Sequence, residues 1–272
     1  MREYKQLDIT ICGNRKTSNA IDPVRGCSGA HRRTGGCYHS CYANKLAKIS
    51  GVNFGKPVIN TYNESKLKAQ LEKNKASWMR IGVTGDPSAS WENTAKVCHL
   101  VRQSGKTPVV MTKAWERPTK TVLKSLARDA VHLQVGLSAL DTYNEETRRK
   151  GVINDYSLLY RPGTFAKVMT LPFSDIKLAK KQDSLVGYAK YYRFMELPLR
   201  IFSNAPYADK VSWDLMRHHW NAISKQHDTQ YTAGPLYSPK SFIEELQANK
   251  SRSYYLCGEV TCDTCPHCCG TQ

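Results

Sequence analysis

Thr107-Pro108-Val109-Val110-Met111-Thr112, a helical segment over residues 119–127, and Val131-His132-Leu133-Gln134-Val135-Gly136-Leu137-Ser138 together decide the fold. Two short apolar runs with a helix between them form a strand–helix–strand unit. Such a unit builds parallel sheet with a right-handed crossover. The alternation continues on both sides. Residues 79–84 read as a strand ending in the turn Gly85-Asp86-Pro87-Ser88, and 91–103 as a helix capped by Ser88 or Ser90 and stopped near Gly105. Further upstream, 7–12 read as a short strand, 42–49 as a helix stopped by Gly51, and 64–75 as an exposed helix with Leu67 and Leu71 one turn apart. Downstream, a helix starts over 141–150, strands are expected at 165–171 and 197–202 with a helix around 184–195 between them, and a last helix covers 212–225. Six strands in this rhythm suit an α/β fold of the partial (β/α)6 barrel type over residues 1–235. A C-terminal helix and cysteine-rich extension follow over 236–272.

Composition narrows the function classes. The chain has 272 residues, 40% of them hydrophobic and 10% aromatic, which is enough to bury a core and excludes a disordered protein. No stretch approaches the roughly 18 apolar residues that span a bilayer. The opening Met1-Arg2-Glu3-Tyr4-Lys5-Gln6 lacks the apolar core of a secretory signal, so a cytoplasmic location is expected. In a reducing compartment ten cysteines point to metal ligands rather than a disulfide framework. The formal charge is +17, nearly all of the excess falling in the first 130 residues. A field so one-sided suits a polyanionic partner, nucleic acid or a phosphorylated nucleotide, or else a solvated face.

Three cysteines, Cys27-x9-Cys37-x3-Cys41, run into Tyr42-Ala43-Asn44-Lys45. Gly26, Gly29, Gly35 and Gly36 surround them, as suits backbone folded closely round an inorganic core. Three thiolates can hold three irons of a cubane and leave the fourth open, or they can form a zinc site with His31 or His39. A second set, Cys257, Cys262, Cys265 and Cys268, lies in the tail, followed by Cys269. It fits either four-thiolate zinc or a second [4Fe-4S] cluster, with His267 a further candidate ligand. Cys12 and Cys98 sit in apolar patterns and read as core.

Chemistry in parallel β/α architectures gathers at the carboxyl ends of strands. Thr84-Gly85-Asp86, Thr112-Lys113 and Gly136-Leu137-Ser138 occupy three such ends. Asp86 also suits a turn before Pro87, and Ser138 a helix cap. Aromatic and basic residues interleave over 188–194 and 213–220. They read as amphipathic helices with buried rings ahead of base-stacking surfaces.

The residues Asp22-Pro23-Val24-Arg25-Gly26-Cys27 and Gly36-Cys37-Tyr38-His39-Ser40-Cys41-Tyr42-Ala43 resemble a phage- and bacteria-encoded branch of the radical SAM superfamily. Met111-Thr112-Lys113, Glu116-Arg117-Pro118 and Val135-Gly136-Leu137-Ser138 are similar to that branch too, and the layout is distantly like spore photoproduct lyase. The likeness covers residues 5–140, and its nine-then-three cysteine spacing departs from the commonest three-then-two. The resemblance implies that Cys27, Cys37 and Cys41 ligate a [4Fe-4S] cluster whose open iron chelates S-adenosyl-L-methionine. One-electron reduction, from a donor such as flavodoxin or ferredoxin, would then release a 5′-deoxyadenosyl radical that abstracts hydrogen from a substrate. It further implies that Thr84, Gly85 and Asp86 meet the amino group of S-adenosyl-L-methionine, Lys113 and Ser138 its carboxylate or ribose, and Tyr42 the cluster or adenine. The competing expectation is a non-catalytic nucleic-acid-binding protein with two structural zinc sites.

Overall fold

The computed structural model describes residues 2–11, 19–32, 41–171, 173–198, 207–212 and 254–256. Its centre is a parallel sheet. Five longer strands, β4 (Trp78–Ile81), β5 (Thr107–Thr112), β6 (His132–Ser138), β7 (Thr164–Thr170) and β8 (Arg193–Pro198), lie side by side in chain order. Short strands β1 (Ala20–Ile21) and β9 (Tyr254–Leu256) extend the two edges, and every pairing is parallel. A separate antiparallel pair joins β2 (Val24–Arg25) to β3 (Val58–Ile59).

The helices are α1 (Gly29–Arg32), α2 (Tyr42–Ile49), α3 (Glu64–Lys73), α4 (Trp91–Gln103), α5 (Lys120–Arg128), α6 (Tyr143–Tyr160) and α7 (Ile176–Ala189). Local chemistry fixes their starts. Asn63, Thr119 and Asp175 accept hydrogen bonds from the free amides of α3, α5 and α7, and Thr142 with Glu145 forms a reciprocal capping box on α6. Leu133, Val135 and Leu137 of β6, with Ala166 and Val168 of β7, share one apolar core with buried residues of α3 to α7. All five helices therefore cover the same face of the sheet. The alternate residues face the other way: His132, Gln134, Gly136 and Ser138 on β6, Phe165 and Lys167 on β7.

Two expected strands are corrected. Residues 7–11 are extended but pair with the 59–61 segment instead of the sheet, Ile9 N donating to Thr61 O at 2.6 Å and Thr61 N to Leu7 O at 3.1 Å. The strand at that sheet edge is β1. The strand expected at 197–202 begins earlier, as β8, and the helix expected around 184–195 ends at Ala189. Register against β7, from Phe165↔Arg193 to Thr170↔Pro198, sets β8 where the local apolar run alone does not. The helix begun at 141–150 continues to Tyr160.

In the basic and aromatic set over 188–194, Tyr188 and Tyr192 serve packing while Tyr191 is exposed. The Tyr188 hydroxyl donates to Asn154 Oδ1 at 2.8 Å, its ring lies 5.2 Å from that of Tyr192, and Lys150 Nζ sits 4.8 Å above it, joining α7 to α6. The 213–220 set and the helix expected over 212–225, except Ser212, lie outside the described residues, as does Cys12. No helix among the described residues is long and apolar enough to cross a membrane. Within the expected extension over 236–272, Tyr254–Leu256 joins the sheet beside β8.

Candidate functional site at the carboxyl ends of the strands

β1 delivers Asp22 to the turn that follows β4. Its carboxylate accepts from Val83 N at 2.5 Å, Thr84 N at 3.0 Å and Thr84 Oγ1 at 2.7 Å. The chain leaving β2 is then paired with the same turn: Gly26 N donates to Thr84 O at 3.2 Å and Asp86 N to Gly26 O at 3.0 Å. Side chains would block that approach. A Cβ at Gly85 would lie 2.2 Å from Val24 O, and Gly26, at φ +85°, would place one 2.8 Å from Phe54 O. Cys27 is thereby fixed directly beside the residues 84–86, its amide donating to Phe54 O at 2.8 Å.

Cys41 arrives from the other side as the residue capping α2. It packs against the buried cluster of Cys27, Ala43, Ala47, Phe54 and Trp115. Burial pushes its thiol pKa up and the Asp86 charge adds to this, while the amides of Asn44 and Ala43 oppose it. Neither cysteine is in a disulfide. Two cysteines outside any disulfide, Cys27 buried and Cys41 half-buried against the same apolar cluster, with glycine-tight backbone beside them, are a donor set that suits a thiolate-held cluster. Cys37 and the side chains of Tyr42, His31 and His39 lie outside the described residues, and so do Cys257, Cys262, Cys265 and Cys268. Among the described residues no three His, Cys, Asp or Glu side chains converge as a metal site.

Asp86 is a bracket between strand ends. Its carboxylate accepts from Ser88 N (2.9 Å), Ser88 Oγ (2.7 Å), Thr112 Oγ1 (2.6 Å) and Lys113 N (2.8 Å). Lys113 in turn reaches the end of β6, its Nζ 3.2 and 3.3 Å from the two carboxylate oxygens of Asp141. Asp141 also accepts from Ser138 N at 2.8 Å and pairs with Arg149 Nη1 of α6 at 2.5 Å. Burial alone pushes the Asp141 carboxyl pKa up, but Lys113 and Arg149 overrule it and hold it below the ordinary carboxylate value. Arg149 is fully buried, donates from Nε to Lys113 O at 2.6 Å, and lies 4.6 Å above the Trp115 ring.

Trp115 connects this ionic group to the cysteines. Its ring occupies the space a side chain at Gly29 would need, the nearest atom being 2.0 Å from an added Cβ. The backbone turns sharply to deliver it, with Ala114 left-handed at φ 46°. The structure therefore brings Cys27, Cys41, Thr84, Gly85, Asp86, Lys113 and Ser138 to one end of the sheet. It adds Asp22, Trp115, Asp141 and Arg149, which sequence reasoning missed as site residues. Asp22 carried a signal, standing directly before Pro23 at the head of the cysteine motif. Arg149 carried none, lying in the charged run Glu145-Glu146-Thr147-Arg148-Arg149-Lys150 that reads as a solvated face. No family model matches the chain, and no curated protein matches it.

Proposed function

We propose that this chain is a radical SAM enzyme built on a partial β/α barrel, acting on a nucleic acid or a phosphorylated nucleotide. The observation that supports it most is the pairing of Gly26 with the 84–86 turn, which sets Cys27 beside Asp86 and within the apolar cluster against which the half-buried Cys41 packs. Cys27 and Cys41, with Cys37, would hold a [4Fe-4S] cluster, and the tail cysteines Cys257, Cys262, Cys265 and Cys268 a second cluster or zinc. When bound, the first cluster supplies the electron that splits S-adenosyl-L-methionine into methionine and a 5′-deoxyadenosyl radical.

The chain's own residues have definite tasks on this reading. Asp22 and Asp86 are positioning residues: they use their carboxylates to lock the 83–84 and 112–113 backbone in place. Asp141 keeps the Lys113 cation aimed along the strand ends, where an anionic group of the cofactor would meet it. Trp115 and Phe54 shield the Cys27 thiol from water. On this reading the face opposite the helices would be the inside of a barrel wall, which the sequential strand order and the helices gathered on one face support.

The test is anaerobic reconstitution of wild type and a Cys27/Cys37/Cys41→Ala variant. Wild type should carry iron and sulfide and cleave S-adenosyl-L-methionine after reduction. The variant should lose about four irons and the cleavage activity. Zinc without sulfide in the wild type would overturn the proposal in favour of a zinc protein.

A further inference from the structure

The face of the sheet opposite the helices buries polar groups among apolar ones such as Val109, Phe165 and Met169. Lys167 is 4% exposed and His132 6%, and neither Lys167 Nζ nor His132 Nδ1 has a hydrogen-bond partner among the described residues. Arg80 Nε, on the same face of β4, is likewise buried without a partner among them. No strand among the described residues places an Asp or Glu on this face. The carboxylates described at its carboxyl end are already engaged, Asp22 by the 83–84 amides, Asp86 by Ser88, Thr112 and the Lys113 amide, and Asp141 by Lys113 and Arg149.

The row Lys113–Gly136–Lys167 brings two lysines close together on this face. Gly136 pairs with Lys167 across β6 and β7, and the Lys113 side chain crosses above Gly136, its Cδ 3.0 Å from where a Cβ would stand. Two lysines thus flank Gly136, over which Lys113 Cδ and Met169 Cε pack; Lys113 is answered by Asp141, whereas Lys167 Nζ has no hydrogen-bond partner among the described residues. A buried cation without a counter-charge is costly, so its retention points to an anion that arrives from outside.

We propose that Lys167 receives the phosphate of a small phosphorylated substrate on the inner face of the sheet, below the cysteine site. The assignment rests on the radical SAM reading for its chemistry, since that reading sets the reacting end at the strand carboxyl ends. A buried Lys167 without a partner, with the Arg80 guanidinium on the same face and no strand acid beside them among the described residues, suits a doubly charged phosphate better than a single carboxylate. Lysine acts there as a point charge. The depth of Lys167 favours a small molecule over the backbone of a polymer, whose neighbouring phosphates would have to follow it inside.

Inorganic phosphate is titrated calorimetrically into the full chain, with and without anaerobic reconstitution. The proteins compared are wild type, Lys167→Met and the exposed control Lys124→Met; Lys167→Gln replaces Lys167→Met should the latter not fold. Wild type and control should bind phosphate equally. The Lys167 variant should bind about tenfold or more weakly, and acetate should bind wild type about tenfold more weakly than phosphate does. Unchanged phosphate affinity in the Lys167 variant overturns the assignment, as does acetate binding as tightly as phosphate. Oligonucleotide binding weakened equally by the Lys167 substitution overturns the small-molecule part. Phosphate binding in a chain that takes up no cluster keeps this site and removes the radical reading. A cluster that cleaves S-adenosyl-L-methionine in a chain that ignores phosphate does the reverse.

Discussion

At His132 the sheet holds an imidazole that burial, assisted by the nearby Arg193 charge, keeps neutral: its pKa falls from 6.5 to about 4. Between those values the unfolded chain binds a proton that the folded chain does not. Stability is therefore fully present above about pH 6.5 and lost as pH falls toward about 4, by at most about 3 kcal/mol. The urea midpoint at pH 5 should lie below that at pH 7, and His132→Asn should remove most of the difference. An equal drop in the variant would assign it to another group. Asp141 does not confuse the comparison, because its carboxyl is held below its ordinary 3.8 and its contribution fades only at more acid pH. Asp141 has its own test. Asp141→Asn leaves Lys113 and Arg149 buried without their shared counter-charge, and a loss of about 3–5 kcal/mol is expected from chemical denaturation. A loss under about 1 kcal/mol would mean that the three groups are not coupled in solution.

At the scale of elements, α4, β5, β6 and β7 were legible because each carries its own periodicity and stop signals. The first strand was not. Residues 7–11 have the right composition, but the two-residue β1 holds the edge because its partner β4 lies there, and no local pattern announces a strand so short. The site divides along the same line. Thr84–Asp86, Lys113 and Ser138 were found because strand ends can be located from sequence, whereas Trp115 and Arg149 gain their roles only through packing across elements. The junction of β2 with the β4 turn tests this dependence. Gly85→Ala would force a Cβ to within 2.2 Å of Val24 O, so one backbone must retreat. Cys27, 9% exposed, should then react with a thiol reagent about tenfold faster by peptide mapping, equivalent to about 1.4 kcal/mol of local opening. An unchanged Cys27 rate, with the variant folded, would show that this junction does not hold the cysteine segment.

On the scale of the whole molecule the two sheet faces do different work. The face toward α3 to α7 is apolar and supplies the folding free energy, Leu133 and Val135 being at most 1% exposed. Leu133→Ala should cost about 2–5 kcal/mol through lost transfer energy and the cavity left behind. On the opposite face Lys167 gives stability up. Lys167 is as buried as a core residue, yet its ammonium has no partner among the described residues, and methionine offers similar length without a charge to desolvate. Lys167→Met should therefore raise the urea midpoint of the phosphate-free protein by the equivalent of about 1–3 kcal/mol. Saturating phosphate should narrow that gap, because only the wild type gains from it. A lowered midpoint in Lys167→Met would instead make this lysine part of the scaffold, and the polar face a structural feature.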